Sequence, residues 1–181
     1  MEMKAMTVDE IFSALSAHMA AGVEMHNNIA DAFYFLNLKG YAKEQERHYF
    51  EESNNYRCLH CYYLTHFNKL IAEKVDEKVQ IIPTNWIKYS RADVDINTRK
   101  NAIRDLMKKW VEWEKDTKKL FETCYKELSE LNESAAAHEI QHYIIDVDDE
   151  LRFAQEKLMS LEAMGYDMAQ IIAEQYEDEE E

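Results

Sequence analysis

The chain has 181 residues, with only three Gly and one Pro, and its formal net charge is −15. This length predicts one domain, and so few turn-forming residues predict long uninterrupted helices. The charge opposes direct nucleic-acid binding, and three Cys imply no disulfide framework. The N-terminus lacks a secretory signal and no apolar run is long enough to span a membrane, so we expect no membrane association and a cytoplasmic protein.

The first predicted helix begins at a capping box formed by Thr7 and Glu10 and is expected to stop at Gly40. Its apolar stripe consists of Ile11, Leu15, Gly22, Ile29, Phe33 and Leu36. A second helix is predicted over residues 42–76. Its inward face is expected to carry Tyr49, Tyr56, Tyr63, Phe67 and Leu70.

Residues 77–95 break the helical period and contain the only proline, which indicates a long connection. A third helix is predicted over 96–131, with Ile103, Met107, Trp110, Phe121, Cys124 and Leu128 inward. A fourth is predicted over 134–164, before Gly165, with Ile140, Ile144, Val147, Leu151, Leu158 and Leu161 in its stripe. Residues 167–181 are expected to form a short helix and an acidic tail outside a bundle domain of residues 1–166.

Two short links and one long crossover restrict how four such helices can pack. Short links make the joined helices antiparallel neighbours, and a long crossover between the second and third helices makes those two parallel. The sequence therefore predicts an all-α fold with the topology of a ferritin-like four-helix bundle.

Two short motifs resemble metal sites. Residues 138–142 read HEIQH, the spelling that zinc proteases use on a helix, and residues 58–61 read CLHC. Helical geometry turns His138 and His142 away from the stripe of the fourth helix, and it turns both cysteines away from the tyrosines of the second. We therefore expect no protease site and no zinc site at these motifs.

Ionisable residues that point inward are more informative, because an unpaired charge in a bundle core costs several kcal/mol. These residues are His18 and His26 on the first helix, Glu52 and His60 on the second, Glu114 on the third and Glu150 on the fourth. Counting from the helix ends places His26, His60, Glu114 and Glu150 at one level. Bundle metal sites are built from such residues on facing helices, although a buried hydrogen-bonded network with Glu150 exposed would use the same pattern.

The chain resembles the ferritin-like superfamily, and within it the ferritins and the starvation-induced mini-ferritins (Dps), over about residues 8–165. Residues 33–41, FYFLNLKGY, look like the end of the Dps first helix. Residues 48–67, HYFEESNNYRCLHCYYLTHF, are similar in layout to a ferritin-type second helix. The resemblance implies oxidation of Fe(II) and iron storage or detoxification in a multimeric shell.

The sequence also departs from these relatives. The resemblance implies Glu-x-x-His on the second helix, but the frame ending in His60 begins with Arg57. The outward-facing fourth-helix motif contains Glu139-x-x-His142. Phe35 stands where Dps proteins supply a metal ligand between subunits, and the basic arm by which some of them hold DNA is missing.

The resulting hypothesis is a homo-oligomeric protein that binds iron or manganese. Its predicted ligands are His26, Glu52, His60, Glu114 and Glu150, with His18 and Tyr56 next to them. The alternative is a bundle without metal chemistry that serves as an oligomeric structural or interaction protein, because 11 Tyr and three Trp suit aromatic interfaces.

Overall fold

A computed structural model describes residues 6–72 and 94–177, with side chains up to residue 173. Within these ranges the chain forms five α-helices and no strand. They are α1 (Val8–Phe35), α2 (Lys39–Phe67), α3 (Ile96–Glu130), α4 (Ser134–Ala163) and α5 (Met168–Glu177). The predicted all-α architecture with four long helices and one short one is confirmed.

Local chemistry accounts for where the helices begin and end. Thr7 accepts a hydrogen bond from the backbone N–H of Glu10, and the Glu10 carboxylate accepts one from the backbone of Thr7 in return, so the predicted capping box is present. Asn37 and Asn132 adopt positive φ in the two short links, and asparagine tolerates this left-handed conformation better than most residues. Gly165 adopts it after α4, as expected.

The predicted boundaries between α1 and α2, and at the end of α2, were wrong. The chain turns at Asn37, so Gly40 lies inside α2 instead of ending α1. α2 ends at Phe67, because Asn68 adopts the left-handed conformation and breaks the helical repeat. The predicted continuation to residue 76 therefore did not form up to residue 72, and its remainder lies outside the described residues.

The helices pack as two antiparallel hairpins, α1 with α2 and α3 with α4, and α1 also packs against α3. α5 inserts the buried Ile171 into a core shared with α1 and α3. In the part of the chain that the structure describes, no helix combines the length and apolar character that crossing a membrane requires.

The predicted inward stripes of α1 and α3 are confirmed, because every residue named for them is buried. The face predicted for α2 was wrong in its centre. Leu70 is 81% exposed, and the residues that α2 buries between Ala42 and Leu59 are Gln45, His48 and Glu52 instead of tyrosines. Aromatic content alone therefore did not identify the buried face of this helix.

Buried apolar side chains form two separate clusters. One contains Met25, Ile29, Phe33, Ile103 and Met107, and the other contains Ile11, Leu15, Leu59, Phe121 and Val147. These two clusters lie toward opposite ends of the bundle. Between them lie buried polar side chains: Ser16, His26, Gln45, His48, Glu52, Glu114 and Thr117. The bundle is thus apolar at both ends and polar in the middle.

The capping box gives a test of how α1 is stabilised. We expect Thr7→Ala to lower the free energy of unfolding by about 1 kcal/mol, because an N-terminal backbone N–H of the helix loses its acceptor. Thr123→Ala is the matched control, since Thr123 is exposed within α3, away from its N-terminus, and its hydroxyl bonds the Lys119 carbonyl. Urea denaturation of both variants measures the difference. Equal unfolding midpoints for Thr7→Ala and the wild type would contradict this account.

Candidate metal centre

Residues from three helices meet in the polar middle of the bundle. α1 contributes His26, α2 contributes Gln45, His48 and Glu52, and α3 contributes Glu114. We call these five buried residues the central cluster. The His26 and His48 rings lie 5.4 Å apart between centroids, and the negative charge of Glu150 on α4 acts on both Glu52 and Glu114. Four helices therefore direct titratable groups into one small volume.

The Gln45 side chain fixes how the His26 ring carries its proton. The amide oxygen of Gln45 lies 2.9 Å from His26 Nδ1 and can only accept a hydrogen bond, so Nδ1 donates it. Because burial lowers the pKa of His26 to about 4, the ring is neutral near pH 7 and its Nε2 carries a free lone pair. Nε2 lies 3.7 Å from Glu114 Oε1, which is beyond hydrogen-bonding distance. A hydrogen bond from the other ring nitrogen, like that from Nδ1 to Gln45, is how proteins commonly orient a histidine that binds a metal.

The Trp110 side chain holds Glu114 in a comparable way. Trp110 Nε1–H donates a 2.9 Å hydrogen bond to Glu114 Oε1. The other oxygen, Oε2, is buried and has no hydrogen-bond partner among the described residues. One oxygen of this carboxyl group is therefore anchored, and the other is available.

A second group lies toward the surface between α2 and α4. His48 Nδ1 is 3.6 Å from Glu51 Oε2 and 3.6 Å from Glu150 Oε1. One ligand atom from each of these residues lies within 4.8 Å of the other two, so a single cation could contact all three. We call His48, Glu51 and Glu150 the outer triad; His48 belongs both to it and to the central cluster.

Burial shifts the protonation of the carboxyl groups. Loss of water raises the pKa of Glu52 to about 8, and the charge of nearby Glu150 adds to this effect. The same two causes raise the pKa of Glu114 well above its usual value, although the hydrogen bond from Trp110 opposes them. Without a cation, both groups therefore hold protons near neutral pH.

The unpaired atoms of the centre test whether a metal fits. His26 Nε2, Gln45 Nε2, both ring nitrogens of His48 and Glu114 Oε2 are buried without a hydrogen-bond partner in the described part of the chain. Unsatisfied buried polar atoms are rare and costly, and here several lie in one layer on facing helices. Imidazole nitrogens and carboxylate oxygens are ligands for first-row transition metals. The donor set therefore fits such a cation.

The structure brings together four of the five ligands predicted from the sequence: His26, Glu52, Glu114 and Glu150. It does not bring His60 to them, because His60 Nε2 hydrogen-bonds Ser16, ten residues before His26 on α1. The counting was offset because α3 begins five residues earlier than α2, relative to the level at which the two helices meet at this site. Glu52, 13 residues into α2, lies at the level of Glu114, 18 residues into α3.

The two neighbours predicted from the sequence lie away from the central cluster. Tyr56 packs its ring 4.5 Å from that of His60 and so accompanies the displaced histidine. His18 Nε2 and the Thr117 hydroxyl are hydrogen-bonded at 2.7 Å, and the His18 ring stacks on Trp113 at 4.3 Å.

The Trp113 indole lies close to α1 at Gly22. A Cβ atom at Gly22 would lie 3.3 Å from Trp113 Cζ2 and 3.6 Å from the carboxyl carbon of Glu52. Glycine at this position thus leaves room for the indole, whereas an added Cβ would only make ordinary van der Waals contact with the Glu52 carboxyl group.

Sequence reasoning missed Gln45, His48 and Glu51. A usable pattern was present, because Gln45-x-x-His48 has the spacing of the Glu-x-x-His expected on a ferritin-type second helix, with Gln in place of Glu. The prediction placed this motif at the wrong histidine, three turns further along the helix.

The motifs discounted from the sequence are on the surface. His138 and His142 are exposed on α4, as predicted, with their rings 4.9 Å apart. Cys58 and Cys61 are also exposed, as predicted.

Comparisons with known proteins concern the fold. No family model and no curated protein sequence matches the chain. An open-pore ferritin from the archaeon Archaeoglobus fulgidus aligns with a TM-score of 0.75 at 15% identity, over 93% of both chains. Apo-ferritin from Pseudo-nitzschia multiseries aligns at 0.72 with 11% identity, over 93% of this chain and 96% of that one. An iron-soaked variant of the ferritin PmFTN gives 0.75 with 9% identity over the same shares. The chain therefore has the fold of a ferritin-like four-helix bundle, as the resemblance predicted.

Proposed function

We propose that this protein binds a divalent transition metal in the middle of its bundle, with iron as the first candidate and manganese as the second. The observation that carries the proposal is the convergence of unpaired buried atoms, His26 Nε2, the ring nitrogens of His48 and Glu114 Oε2. A purely structural network would satisfy these atoms with one another.

Some of these residues would bind the cation directly, and others would orient them. His26 and His48 provide imidazole nitrogen, and Glu52, Glu114 and Glu150 provide carboxylate oxygen. Gln45 and Trp110 do not bind the cation but orient His26 and Glu114, through the 2.9 Å hydrogen bonds that they make. A mixed set of nitrogen and oxygen ligands with several carboxylates favours iron or manganese over zinc.

Oxidation and storage of iron are the finer part of the proposal. The aligned structures include a ferritin variant soaked in iron, and the donors occupy the middle of the same bundle architecture. Bound iron would supply the Fe(II)/Fe(III) couple. The protein supplies the charge for it, because Glu52 and Glu114 release protons to become anionic ligands when a cation arrives.

A homo-oligomer is part of the same proposal. Phe50 and Met159 are each 67% exposed, so α2 and α4 each present a large apolar side chain to solvent. A second copy of the chain would cover such residues in a symmetric assembly. Light scattering at micromolar concentration is expected to give a multiple of 21.5 kDa. A monomer mass would contradict this part alone.

Glu114 gives the sharpest test of the metal site. Glu114→Gln keeps the size of the side chain but removes the negative charge that a divalent cation needs, so the amount of bound metal should fall while helicity is retained. Glu112→Gln is the matched control, because Glu112 lies two residues away on the exposed face of α3. Mass spectrometry after loading with Fe(II) or Mn(II) measures both variants, with circular dichroism for the fold.

Equal metal in the wild type and in Glu114→Gln would overturn the proposal. A change in melting temperature without any change in metal content would instead favour the alternative, an oligomeric bundle without metal chemistry. In that case the central cluster would be a hydrogen-bonded core.

The protonated carboxyl groups predict how the stability of the metal-free protein depends on pH. The pKa of Glu52 is about 8 in the folded protein against 4.5 for an unperturbed glutamate, so only the folded state holds this proton between those values. The free energy of unfolding must therefore fall as the pH rises through this window. His18 and His26 act oppositely, but only between about 4 and 6.5. Above pH 6.5 only the effect of the buried carboxyl groups remains. Each such group lowers the free energy of unfolding by about 1.4 kcal/mol for every pH unit.

Urea denaturation in the presence of a chelator, between pH 6.5 and 8, measures this slope. Glu52→Gln should flatten it and stabilise the metal-free protein at pH 8, whereas Glu112→Gln should leave it unchanged. A wild-type stability that rises through this interval would show that Glu52 is ionised in the folded state.

A further inference from the structure

The groove between α2 and α4 leads from the surface to the central cluster. A cavity of about 340 Å³ lies there, and its walls include His48, Glu51, Glu150 and Phe153, with Arg47 and Arg152 also along it. The cavity is thus lined by the outer triad, one aromatic residue and two arginines, together with the further acids Asp149 and Glu156.

Exposure decreases stepwise along this groove. The side chain of Glu51 is 49% exposed, that of Glu150 is 15% exposed and that of His48 is 4% exposed. Beyond His48 lie His26 and Glu114, both at 0%. The carboxylate of Glu51 is therefore the ligand that a cation from solvent meets first, and the next ligands are progressively more buried.

His48 connects the surface and the interior. Its Nδ1 lies 3.6 Å from carboxylate oxygens of Glu51 and Glu150, and its ring packs 5.4 Å from that of His26. Both nitrogens of this buried ring have no hydrogen-bond partner in the residues that the structure describes. An unpaired imidazole that borders both the outer triad and the central cluster can pass a cation from one to the other.

Phe153 is the apolar part of the groove. Its ring is 6.3 Å from that of His48 and 6.0 Å from that of Trp110, and the residue is 36% exposed. A phenyl ring in this place separates the buried histidine from solvent. A hydrated cation that enters the groove must pass this ring, or the ring must move aside.

We propose that a divalent cation reaches the central cluster through the α2–α4 groove, with Glu51 as the capturing ligand and Phe153 as the side chain that limits the rate. This inference deepens the proposed function and rests on it. Arg47 opposes capture, because its Nε lies 3.8 Å from Glu51 Oε1 and competes with the cation for that carboxylate.

Stopped-flow mixing of the metal-free protein with Co(II) tests the route, with the visible absorption of bound Co(II) as the probe. Glu51→Gln should slow association by about tenfold, because a capturing charge is lost, and Arg47→Gln should accelerate it. Phe153→Ala should accelerate association and dissociation by the same factor, so that the equilibrium constant from calorimetry stays unchanged. Glu112→Gln is the control for loss of an exposed charge and should bind at the wild-type rate.

The possible results separate the two proposals. If the wild type binds Co(II) but Glu51→Gln and Phe153→Ala associate at its rate, the groove is not the route, while the central site stands. If Phe153→Ala changes the equilibrium constant but not the association rate, its ring is a structural part of the site and the proposed barrier is refuted. If the wild type binds no Co(II), the proposed function fails, and this inference fails with it.

Discussion

The cost of removing charge from water governs the middle of this bundle. The central cluster places five polar side chains between two apolar ends, where unpaired charges are unstable. The response is visible in its protonation, because Glu52 and Glu114 retain their protons and His26 is a neutral imidazole with a single ring proton. His26, Glu52 and Glu114 are therefore held in neutral forms, and each would become a good ligand if a cation compensated the charge. The same burial thus has two consequences: it removes charge from these groups in the metal-free protein, and it leaves atoms that could bind a cation.

Orientation within the layer depends on two residues that are not themselves donors to a cation. Gln45 fixes the proton of His26 on Nδ1, and Trp110 occupies one oxygen of Glu114. Both hydrogen bonds leave the remaining atom of the ligand free. His26 Nε2 and Glu114 Oε2 therefore stay unpaired while the other atom of each group, and the packing of the helices, hold the side chain in place.

Much of this architecture could be predicted from the sequence, because it depends on local patterns. The Thr7 capping box, the stripes of α1 and α3 and the inward direction of Glu114 all follow from helical periodicity. The misplaced His60 shows where such reasoning ends. Periodicity determines which way a side chain points, but not how far one helix is displaced along its neighbour. That displacement results from packing between distant segments, and it replaced His60 by His48 and Glu52 at the level of Glu114.

The contact between α1 and α3 at Gly22 lies beside the candidate metal centre. The Trp113 ring occupies the place that a side chain on α1 would take, and the Glu52 carboxyl group lies beside the same position. Adding a single methyl group at Gly22 would require the indole to give way by a few tenths of an ångström. The packing of α1 against α3 therefore depends on the absence of a side chain at Gly22. A larger residue at Gly22 would displace the Trp113 ring, and with it the His18 ring that stacks on it.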